Sequence, residues 1–391
     1  MLRGSFFKFS RIFPCFKKLL IFLICFGCVY YVYLLFFSTS NDDRQVYLVL
    51  PQKLPPKTTE KARSRGSSVE SIQITTKIEL DYVKKIENKE GSLSDDIKKQ
   101  DEMLKNAKLP ICPSIEKNKM LLGHVPQAEL LIEDLTEDQI AAANPLLEPG
   151  GEWRPSNCTT LKKVAIIIPY RDRFSHLMRL LNFLFPILQR QLLNFRFIVT
   201  EQKGDDLFNK GRIMNAAFIF AEKLGVDCVI FHDVDMFPQD DRTPYDCPEQ
   251  PRHIGAFVSN LGYQLWYNEL VGGVLALTMD DYRQINGYSN LYWAWGGEDD
   301  DMGKRLLSQN MTIERPNQQF ARFSMLKHGK RKRTAPKLIY KLLESAGTRW
   351  ETDGVNNTNL WNVDHVDIRP LYYHLMVNVG IPPKEWRSEK N

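Results

Sequence analysis

The chain has 391 residues, which is long enough for one or two domains with additional segments. Its formal net charge at pH 7 is only +5, and we therefore expect no nucleic-acid partner. Four of its seven cysteines stand in the main body, at Cys112, Cys158, Cys228 and Cys247. An even number suits two disulfides in an oxidising compartment, and the spacing leaves three pairings open.

The N-terminal residues have the pattern of a membrane anchor. Residues 1–18 are basic, and residues 19–37 carry no charged side chain over about the length of one helical bilayer crossing. A cleaved signal peptide has a shorter apolar region, so we expect an uncleaved anchor behind a cytoplasmic tail. Residues 38–109 are polar and predict a disordered stem, which leaves 110–391 as the folded domain beyond the membrane.

Strands and helices alternate after residue 160. Residues 164–168 form a continuous, mostly β-branched apolar run that is typical of a buried strand, and we expect Pro169 to end it. Helical spacing follows at 176–192 and 209–224, and further strands are predicted at 195–201 and 228–231. This order predicts an α/β fold with a mostly parallel twisted sheet flanked by helices.

Charged motifs stand at the predicted strand ends, where α/β folds bind ligands. Arg171 and Arg173 follow the first strand, and paired guanidinium groups suit a diphosphate, with a surface turn as the plain alternative. Asp233 and Asp235 follow the third strand, and their spacing puts both carboxylates on one side of an extended backbone. Carboxylates there bind cations such as Mn²⁺ or Mg²⁺, although Asp-x-Asp also occurs as a cap or turn.

The segment YWAWGGEDDDM at 292–302 combines two tryptophans, a glycine pair and four consecutive acids. Adjacent carboxylates raise one another's pKa or need cations among them. A solvated start of a helix over 302–309 would also favour acids, because of the helix dipole. Trp293 and Trp295 change that interpretation, since a tryptophan beside carboxylates is typical of a sugar-binding site.

Together these motifs resemble those of a known family. The chain resembles the β-1,4-galactosyltransferase family (glycosyltransferase family 7), because it has similar motifs in the same order and with the same spacing. These motifs are VAIIIPYRDR, FNKGRIMNAAF, FHDVDMFP, YDCPEQPRH, GGVLALT, INGYSNLYWAWGGEDDDM and MLKH. The resemblance spans about residues 110–380 and is closest to the invertebrate β-1,4-N-acetylgalactosaminyltransferases. It implies a GT-A nucleotide-sugar transferase fold, a single-pass type II Golgi membrane enzyme with a luminal catalytic domain, Mn²⁺ as cofactor, and inversion at the anomeric carbon.

The resemblance also implies a role for each matching residue. Nucleotide-sugar binding falls to Pro169, Tyr170, Arg171, Asp172, Arg173, Phe208, Asn209, Lys210, Val234, Asp235, Trp295 and His328. The metal would be held by Asp235, Met325 and His328, although a thioether is an unusual Mn²⁺ ligand. The acceptor would be surrounded by Tyr267, Gly297, Glu298, Asp299, Asp300 and Tyr340. Asp299 would be the general base, with Glu298 as a second catalytic residue.

Leu270 is expected to set the choice of donor sugar. The resemblance places a tyrosine here in vertebrate galactosyltransferases, where its hydroxyl crowds the C2 substituent of the donor. An aliphatic residue goes with invertebrate N-acetylgalactosaminyltransferases, because it leaves room and an apolar wall for the acetamido methyl group. The alternative is a neutral exchange that leaves galactose as the donor.

Other features also follow from the resemblance. The cysteines would pair as Cys112–Cys158 and Cys228–Cys247, and residues 326–344 would form a mobile lid hinged at His328. An arginine that contacts acceptor in the family aligns with Ile339. The basic run at 330–333 resembles a nuclear signal, which the membrane anchor argues against. Glycosylation sequons stand at Asn157, Asn310 and Asn356, and Asn310 is the best candidate because it follows a helix end.

The sequence therefore predicts a Golgi β-1,4-N-acetylgalactosaminyltransferase. It would move the sugar from UDP-GalNAc to the 4-hydroxyl of a terminal β-N-acetylglucosamine on glycoproteins or glycolipids. The same transfer from UDP-Gal is the first alternative, and an inactive carbohydrate-binding protein with the same fold is the alternative of another class. Whether a second membrane protein is needed stays open.

Overall fold

The structure is a computed structural model that describes residues 109–327 and 335–387. The expected tail at 1–18, the anchor at 19–37 and all of the stem except Leu109 lie outside those ranges. His328 and the basic run at 330–333 lie outside them as well. Within the two ranges, no helix combines the length and the apolar character needed to span a bilayer.

The described residues contain ten strands and seven α-helices. The strands are β1 Lys163–Tyr170, β2 Asn194–Gln202, β3 Cys228–His232, β4 Met236–Pro238, β5 Arg252–His253, β6 Phe257–Val258, β7 Val274–Thr278, β8 Arg322–Met325, β9 Asn362–Ile368 and β10 Tyr373–Asn378. The α-helices are α1 Glu137–Ala143, α2 Phe174–Arg190, α3 Lys210–Lys223, α4 Met279–Gln284, α5 Glu298–Ser308, α6 Pro336–Glu344 and α7 Ala346–Arg349. Short 3₁₀ turns lie at Ile115–Lys117, Gln127–Leu131, Ser259–Leu261, Thr358–Leu360 and Lys384–Trp386.

Seven strands form the main sheet in the order β5-β7-β3-β1-β2-β10-β9. The four central strands β3, β1, β2 and β10 run parallel. The pairings towards both edges are antiparallel, at β3–β7, β7–β5 and β10–β9. The expected mostly parallel sheet therefore holds at the centre, and the sheet as a whole is mixed. A second sheet has the order β4-β8-β6.

The core lies on both faces of the main sheet, because alternate residues of a strand point to opposite sides. From β1, Val164, Ile166 and Ile168 pack into the same cluster as the apolar residues of α2. Ala165 and Ile167 pack into a second cluster with α3. All five side chains are buried, which confirms the predicted buried strand.

The expectation that Pro169 ends the first strand is wrong. β1 continues through Pro169 to Tyr170, and both residues pair in register with β2. β3 follows β1 only as far as Ile167, so Pro169 has a strand neighbour on one side. A proline, which lacks an N–H donor, is tolerated where a strand is paired on one side only.

The acidic helix α5 begins earlier than the sequence indicated, at Glu298 rather than at residue 302. Gly297 precedes it with a φ of 99°, in the left-handed region that glycine adopts readily. A Cβ at Gly297 would also lie 2.7 Å from the Tyr292 ring and 2.9 Å from Ile339. The sharp turn puts all four acids into the first turn of α5, where the helix dipole favours them.

Candidate active site

A cleft of about 500 Å³ lies beyond the carboxyl ends of β1 and β3. Its other walls are the start of α3, the loop between β6 and β7, and the turn before α5. The structure brings fifteen predicted site residues to it: Pro169, Arg171, Arg173, Phe208, Lys210, Val234, Asp235, Tyr267, Leu270, Trp295, Gly297, Glu298, Asp299, Asp300 and Met325. This is the place at which α/β sheets bind ligands.

The two arginines after β1 are held in different ways. Arg171 Nη1 donates to the carbonyl of Asp206 at 2.7 Å, and its guanidinium lies 5.0 Å from the centre of the Phe208 ring. Arg173 Nη1 pairs with Asp235 Oδ2 at 2.7 Å. Two cationic groups therefore stand where β1 ends, which is an arrangement that suits a diphosphate.

Lys210 joins the two acidic segments of the cleft. Its Nζ lies 2.8 Å from Asp233 Oδ1 and 3.5 Å from Glu298 Oε1. Burial disfavours the ammonium charge, but Asp233 and Glu298 outweigh burial and raise the pKa of Lys210 well above its usual value. The charged lysine therefore reduces the repulsion between the acids after β3 and those at the start of α5.

Asp235 and Met325 are the predicted metal ligands that lie within the described residues. Met325 ends β8 and pairs in the ladder with Met236, and the amide of Leu326 donates to the Asp235 carbonyl at 3.0 Å. Both side chains line the cleft, so a hard carboxylate and a thioether converge. The described residues hold no cluster of three His, Cys, Asp or Glu groups that could bind a metal. His328, the third predicted ligand, lies outside those residues.

The carboxyl group of Asp299 has an unusual environment. Burial, together with the charges of Glu298 and Asp300, raises its pKa to about 7, although Lys210 opposes the shift. Gly272 lies directly against this carboxylate, since a Cβ there would be 2.5 Å from Asp299 Oδ2. A carboxyl group with a pKa near neutrality is suited to act as a general base.

Three exposed aromatic side chains line the cleft near these acids: Trp266, Tyr267 and Trp295. The hydroxyl of Tyr267 donates to Asp300 Oδ1 at 2.5 Å, which fixes both groups beside Asp299. Trp293 is buried in the core instead. Of the two tryptophans that flank the acidic run, Trp295 therefore belongs to the cleft and Trp293 to the packing beneath it.

Four predicted site residues do not line the cleft: Tyr170, Asp172, Asn209 and Tyr340. Asn209 is fully buried and caps α3, where its side chain accepts from the amide of Arg212 at 2.9 Å. Tyr340 on α6 is 59% exposed, while the neighbouring Ile339 is buried. The ligand contacts expected of these four residues stay predictions, as do those of His328.

The fourth acid of the run, Asp301, points away from the cleft and is fully buried. Its carboxylate pairs with Arg305 and with Arg349, each at 2.5 Å, and accepts from the Tyr292 hydroxyl at 2.9 Å. Asp353 pairs with both arginines and completes the network. The network ties the first turn of α5 to α7, and the three preceding acids are thereby held at the cleft.

Both expected disulfides are present, Cys112–Cys158 and Cys228–Cys247. The second joins the start of β3 to the segment that follows the Asp235 loop. The sequon residues Asn157, Asn310 and Asn356 are all exposed, and Asn310 lies just beyond α5. Their glycosylation stays a prediction.

Sequence reasoning missed several lining residues, among them Asn260, Trp266 and Gly272. They lie in the loop between β6 and β7, whose path depends on contacts with distant segments rather than on local periodicity. The exposed Trp266 stands next to a tyrosine that was expected to bind the acceptor, and this neighbour was the available signal.

Comparison with known proteins identifies the class. A family model described as the N-terminal region of glycosyl transferase group 7 matches residues 112–248. A second model, described as the N-terminal domain of galactosyltransferase, matches residues 252–329. The chain belongs to glycosyl transferase group 7, the β-1,4-galactosyltransferase family, which confirms the resemblance seen in its motifs.

The relatives are named β-1,4-galactosyltransferases. β-1,4-Galactosyltransferase 4 of Cricetulus griseus is 37% identical over 283 residues, covering 71% of this chain and 80% of that protein. β-1,4-Galactosyltransferase 1 of Mus musculus is 38% identical over 276 residues, covering 70% and 68%.

Solved structures agree on the fold. The catalytic domain of Drosophila β1,4-galactosyltransferase 7, in complex with xylobiose, matches with a TM-score of 0.51 at 26% identity, covering 58% of this chain and 98% of that one. A mutant of that enzyme in complex with manganese, UDP-Gal and xylobiose gives a TM-score of 0.50 at 24% identity over the same shares. These matches confirm the α/β transferase fold with its mixed sheet flanked by helices.

Proposed function

We propose that the chain is an inverting glycosyltransferase that moves a galactose-type sugar from UDP to the 4-hydroxyl of a terminal β-N-acetylglucosamine. One observation carries the proposal: the acids Glu298, Asp299 and Asp300 share a single cleft with the Asp233–Asp235 loop. The acids at the start of α5 supply a base and sugar-hydroxyl acceptors. The loop after β3 and the nearby arginines suit the diphosphate end of the donor.

In the proposed reaction Asp299 is the general base. The acceptor 4-hydroxyl oxygen bonds to the anomeric carbon of the donor while the bond from that carbon to the UDP oxygen breaks. The hydroxyl proton passes to the Asp299 carboxylate, and UDP leaves with the electron pair of the broken bond. Attack in line with the leaving group inverts the anomeric carbon in one step, and no covalent enzyme intermediate is needed.

The chain's own residues orient both substrates. Tyr267 and Trp295 offer aromatic faces for sugar rings, and Asp300 is fixed by its hydrogen bond from Tyr267. Arg171 and Arg173 would contact the phosphates, and Glu298, held near Lys210, would accept from donor hydroxyls. These roles require that substrate lies between the end of β1 and the start of α5.

Manganese is the proposed cofactor, held by Asp235, Met325 and His328. When bound, it would supply positive charge that stabilises the departing UDP. The manganese complex of the Drosophila enzyme supports this assignment, as does the convergence of Asp235 and Met325 on the cleft.

Two nucleotide sugars are candidates for the donor substrate, and a different observation supports each of them. The relatives are named galactosyltransferases, and this supports UDP-galactose as the donor. Leu270 supports UDP-N-acetylgalactosamine, because it lines the cleft with an aliphatic side chain where the resemblance expects a tyrosine in vertebrate galactosyltransferases. The comparisons weigh towards galactose, so N-acetylgalactosamine, the donor first expected from the sequence, becomes the second candidate.

A donor comparison tests the proposal. The full-length chain is given an N-acetylglucosamine-terminated acceptor, Mn²⁺ and either UDP-Gal or UDP-GalNAc, and a chelator serves as the control. Transfer to the 4-hydroxyl that stops on chelation is the expected result, and the faster donor decides between the two candidates. Retained acceptor binding with no turnover of either donor would instead favour the carbohydrate-binding alternative.

The proposed location is the Golgi membrane, in a type II orientation with the catalytic domain in the lumen. The two disulfides support an oxidising compartment, and the uncharged run at 19–37 supports a single anchor. A C-terminal tag on the full-length chain should resist protease in intact vesicles and become sensitive after detergent. Screening of acceptors would distinguish protein-linked from lipid-linked substrates.

A further inference from the structure

The loop between β6 and β7 is held by an unusual set of hydrogen bonds. Arg315 Nη2 donates to the carbonyl of Asn268 at 2.5 Å and to the carbonyl of Leu270 at 3.3 Å. His253 Nε2 lies 2.8 Å from the carbonyl oxygen of Gly272. Three alternate carbonyls of one loop therefore accept from two side chains that come from outside it.

Both side chains stand on one joined support. The amide of His253 donates to the carbonyl of Glu314 at 2.8 Å, and the amide of Glu314 donates to the carbonyl of Pro251 at 2.8 Å. Arg252 Nε also pairs with Glu314 Oε2 at 3.0 Å. Because these bonds fix β5 to the segment that carries Arg315, the side chains of His253 and Arg315 cannot shift independently.

The chemistry of His253 indicates that its ring serves mainly to donate the hydrogen bond to the carbonyl of Gly272. Burial lowers the pKa of His253 to about 4, so the ring is neutral at ordinary pH. A carbonyl oxygen can only accept, so Nε2 carries the proton. Nδ1 has no hydrogen-bond partner among the described residues, which is unfavourable for a buried nitrogen.

The clamped loop carries the sugar-facing wall of the cleft. Leu270 lines the cleft directly, and its amide donates to the carbonyl of Tyr267 at 3.3 Å in the same turn. Tyr267 in turn holds Asp300. A displacement of the loop would therefore move the donor wall and an acceptor-side acid together.

The end of the loop reaches the other two catalytic segments. Gly272 lies against the carboxylate of Asp299, and the carbonyl of Gly273 accepts from the amide of Asp233 at 2.8 Å. The position of these glycines thus limits where the general base and the Asp-x-Asp loop can lie. A small shift there is large on the scale of catalytic alignment.

We propose that His253 and Arg315 are specificity-determining positioning residues: they clamp the loop at 268–272 and so set how the cleft discriminates between donor sugars. Neither residue needs to touch the substrate, because each acts through the backbone that carries Leu270 and Gly272. The proposal rests on the proposed function in one respect, namely that the ligand is a UDP-sugar.

The test compares four variants of the full-length chain with the wild type. Arg315→Met and His253→Leu remove the donors to the loop, whereas His253→Gln keeps an amide N–H at similar reach. Arg179→Met is the matched control, because Arg179 also donates to a backbone carbonyl, that of Leu130 at 2.8 Å, away from the cleft. Calorimetry with Mn²⁺ gives the affinities for UDP, UDP-Gal and UDP-GalNAc, and transfer assays give kcat/KM for both donors.

In the wild type one UDP-sugar should bind more tightly than the other. We expect Arg315→Met and His253→Leu to reduce this preference by roughly tenfold, which is the discrimination that a single small group provides in an apolar pocket. The affinity for UDP alone should change less than the ratio of the two UDP-sugar affinities, because UDP lacks the sugar that would face Leu270. His253→Gln should retain the wild-type ratio of UDP-Gal to UDP-GalNAc affinity. The thermal midpoints of Arg315→Met and His253→Leu should fall no further than that of Arg179→Met.

Unchanged donor ratios in Arg315→Met and His253→Leu would overturn the clamp, as would an equal change in Arg179→Met. If His253→Leu does not fold, the Arg315→Met and Arg179→Met pair still decides. A wild type that binds the two UDP-sugars with different affinities but transfers neither sugar would refute the proposed function. The clamp could still be tested from the affinities alone. A wild type that binds no UDP-sugar would refute both.

Discussion

Asp299 shows how a single residue obtains its chemistry from its surroundings. An ordinary aspartate is ionised and weakly basic at neutral pH. Here burial and the neighbouring charges of Glu298 and Asp300 raise the pKa to about 7, and Lys210 limits that rise. A base whose pKa lies near the working pH combines the correct ionisation state with proton affinity.

Replacing Asp299 by Asn should strongly slow transfer and stabilise the fold at the same time. The loss of the base is expected to lower kcat by about 10²- to 10⁴-fold. Because the folded-state pKa lies above the ordinary value, the stability linked to protonated Asp299 is present below about pH 4 and is lost as the pH rises through about 7. Asp299→Asn should thus raise the thermal midpoint at pH 8 and leave it nearly unchanged at pH 4. A lower midpoint at pH 8 would contradict this account.

The pH dependence of kcat/KM should report the same group. Activity needs ionised Asp299, so kcat/KM of the wild type should fall below about pH 7. Glu298→Gln removes a charge that raises the pKa of Asp299, and the acidic limb should therefore shift to lower pH even where the maximum rate is reduced. An acidic limb that does not move in Glu298→Gln would show that another group controls it.

Leu270 is the residue that distinguishes the two donor candidates. Leu270→Tyr should raise the ratio of kcat/KM for UDP-Gal over UDP-GalNAc by roughly tenfold or more, because a phenol oxygen would occupy the space of the acetamido group. Leu307→Tyr is the matched control, since Leu307 is exposed on α5 and does not line the cleft. A ratio that stays the same in Leu270→Tyr would remove the argument for N-acetylgalactosamine.

At the scale of elements, α5 shows what the sequence could predict about the site and what it could not. The acidic run and its glycine pair were recognisable, and Asp301 with Arg305 has the spacing of a helical ion pair. The inward direction of Asp301 was not predictable, because its partner Arg349 lies 48 residues further along the chain. His253 closes the motif YDCPEQPRH but had no role indicated by the sequence, and neither had Arg315, since both act through backbone carbonyls.

Breaking the buried network behind α5 should affect both stability and turnover. Arg349→Met leaves Arg305 as the cation that still pairs with Asp301 and Asp353, so the loss of stability should stay below the cost of an unpaired buried charge, which is about 3–5 kcal/mol. Urea denaturation should show this loss, and kcat should fall because the first turn of α5 is less well fixed. Arg283→Met, which breaks the more exposed pair with Glu222, should change stability by no more than about 1 kcal/mol. Equal effects of the two variants would argue against the network.

At the scale of the whole molecule, the predictable part is the central β1–α2–β2–α3–β3 unit. Its strands and helices have strong local periodicity, and each packs on its neighbours in the sequence. β10 was missed, and it pairs with β2 from the far end of the chain. Pairings at such distance leave no local pattern. For the same reason Tyr267, Leu270 and Met325 could be assigned only through the family resemblance.

The two disulfides should separate global stability from activity. In the loop-closure model the bridge Cys112–Cys158, which spans 46 residues, contributes about 4 kcal/mol, and Cys228–Cys247, which spans 19, contributes about 3 kcal/mol. Paired alanine substitutions should thus destabilise the chain more at the first bridge. Loss of the second should reduce affinity for Mn²⁺ and UDP more strongly, because that bridge restrains the segment following Asp235. Thermal unfolding and calorimetry on both variants measure the two effects, and parallel losses of stability and affinity would show that the second bridge has no special role at the cleft.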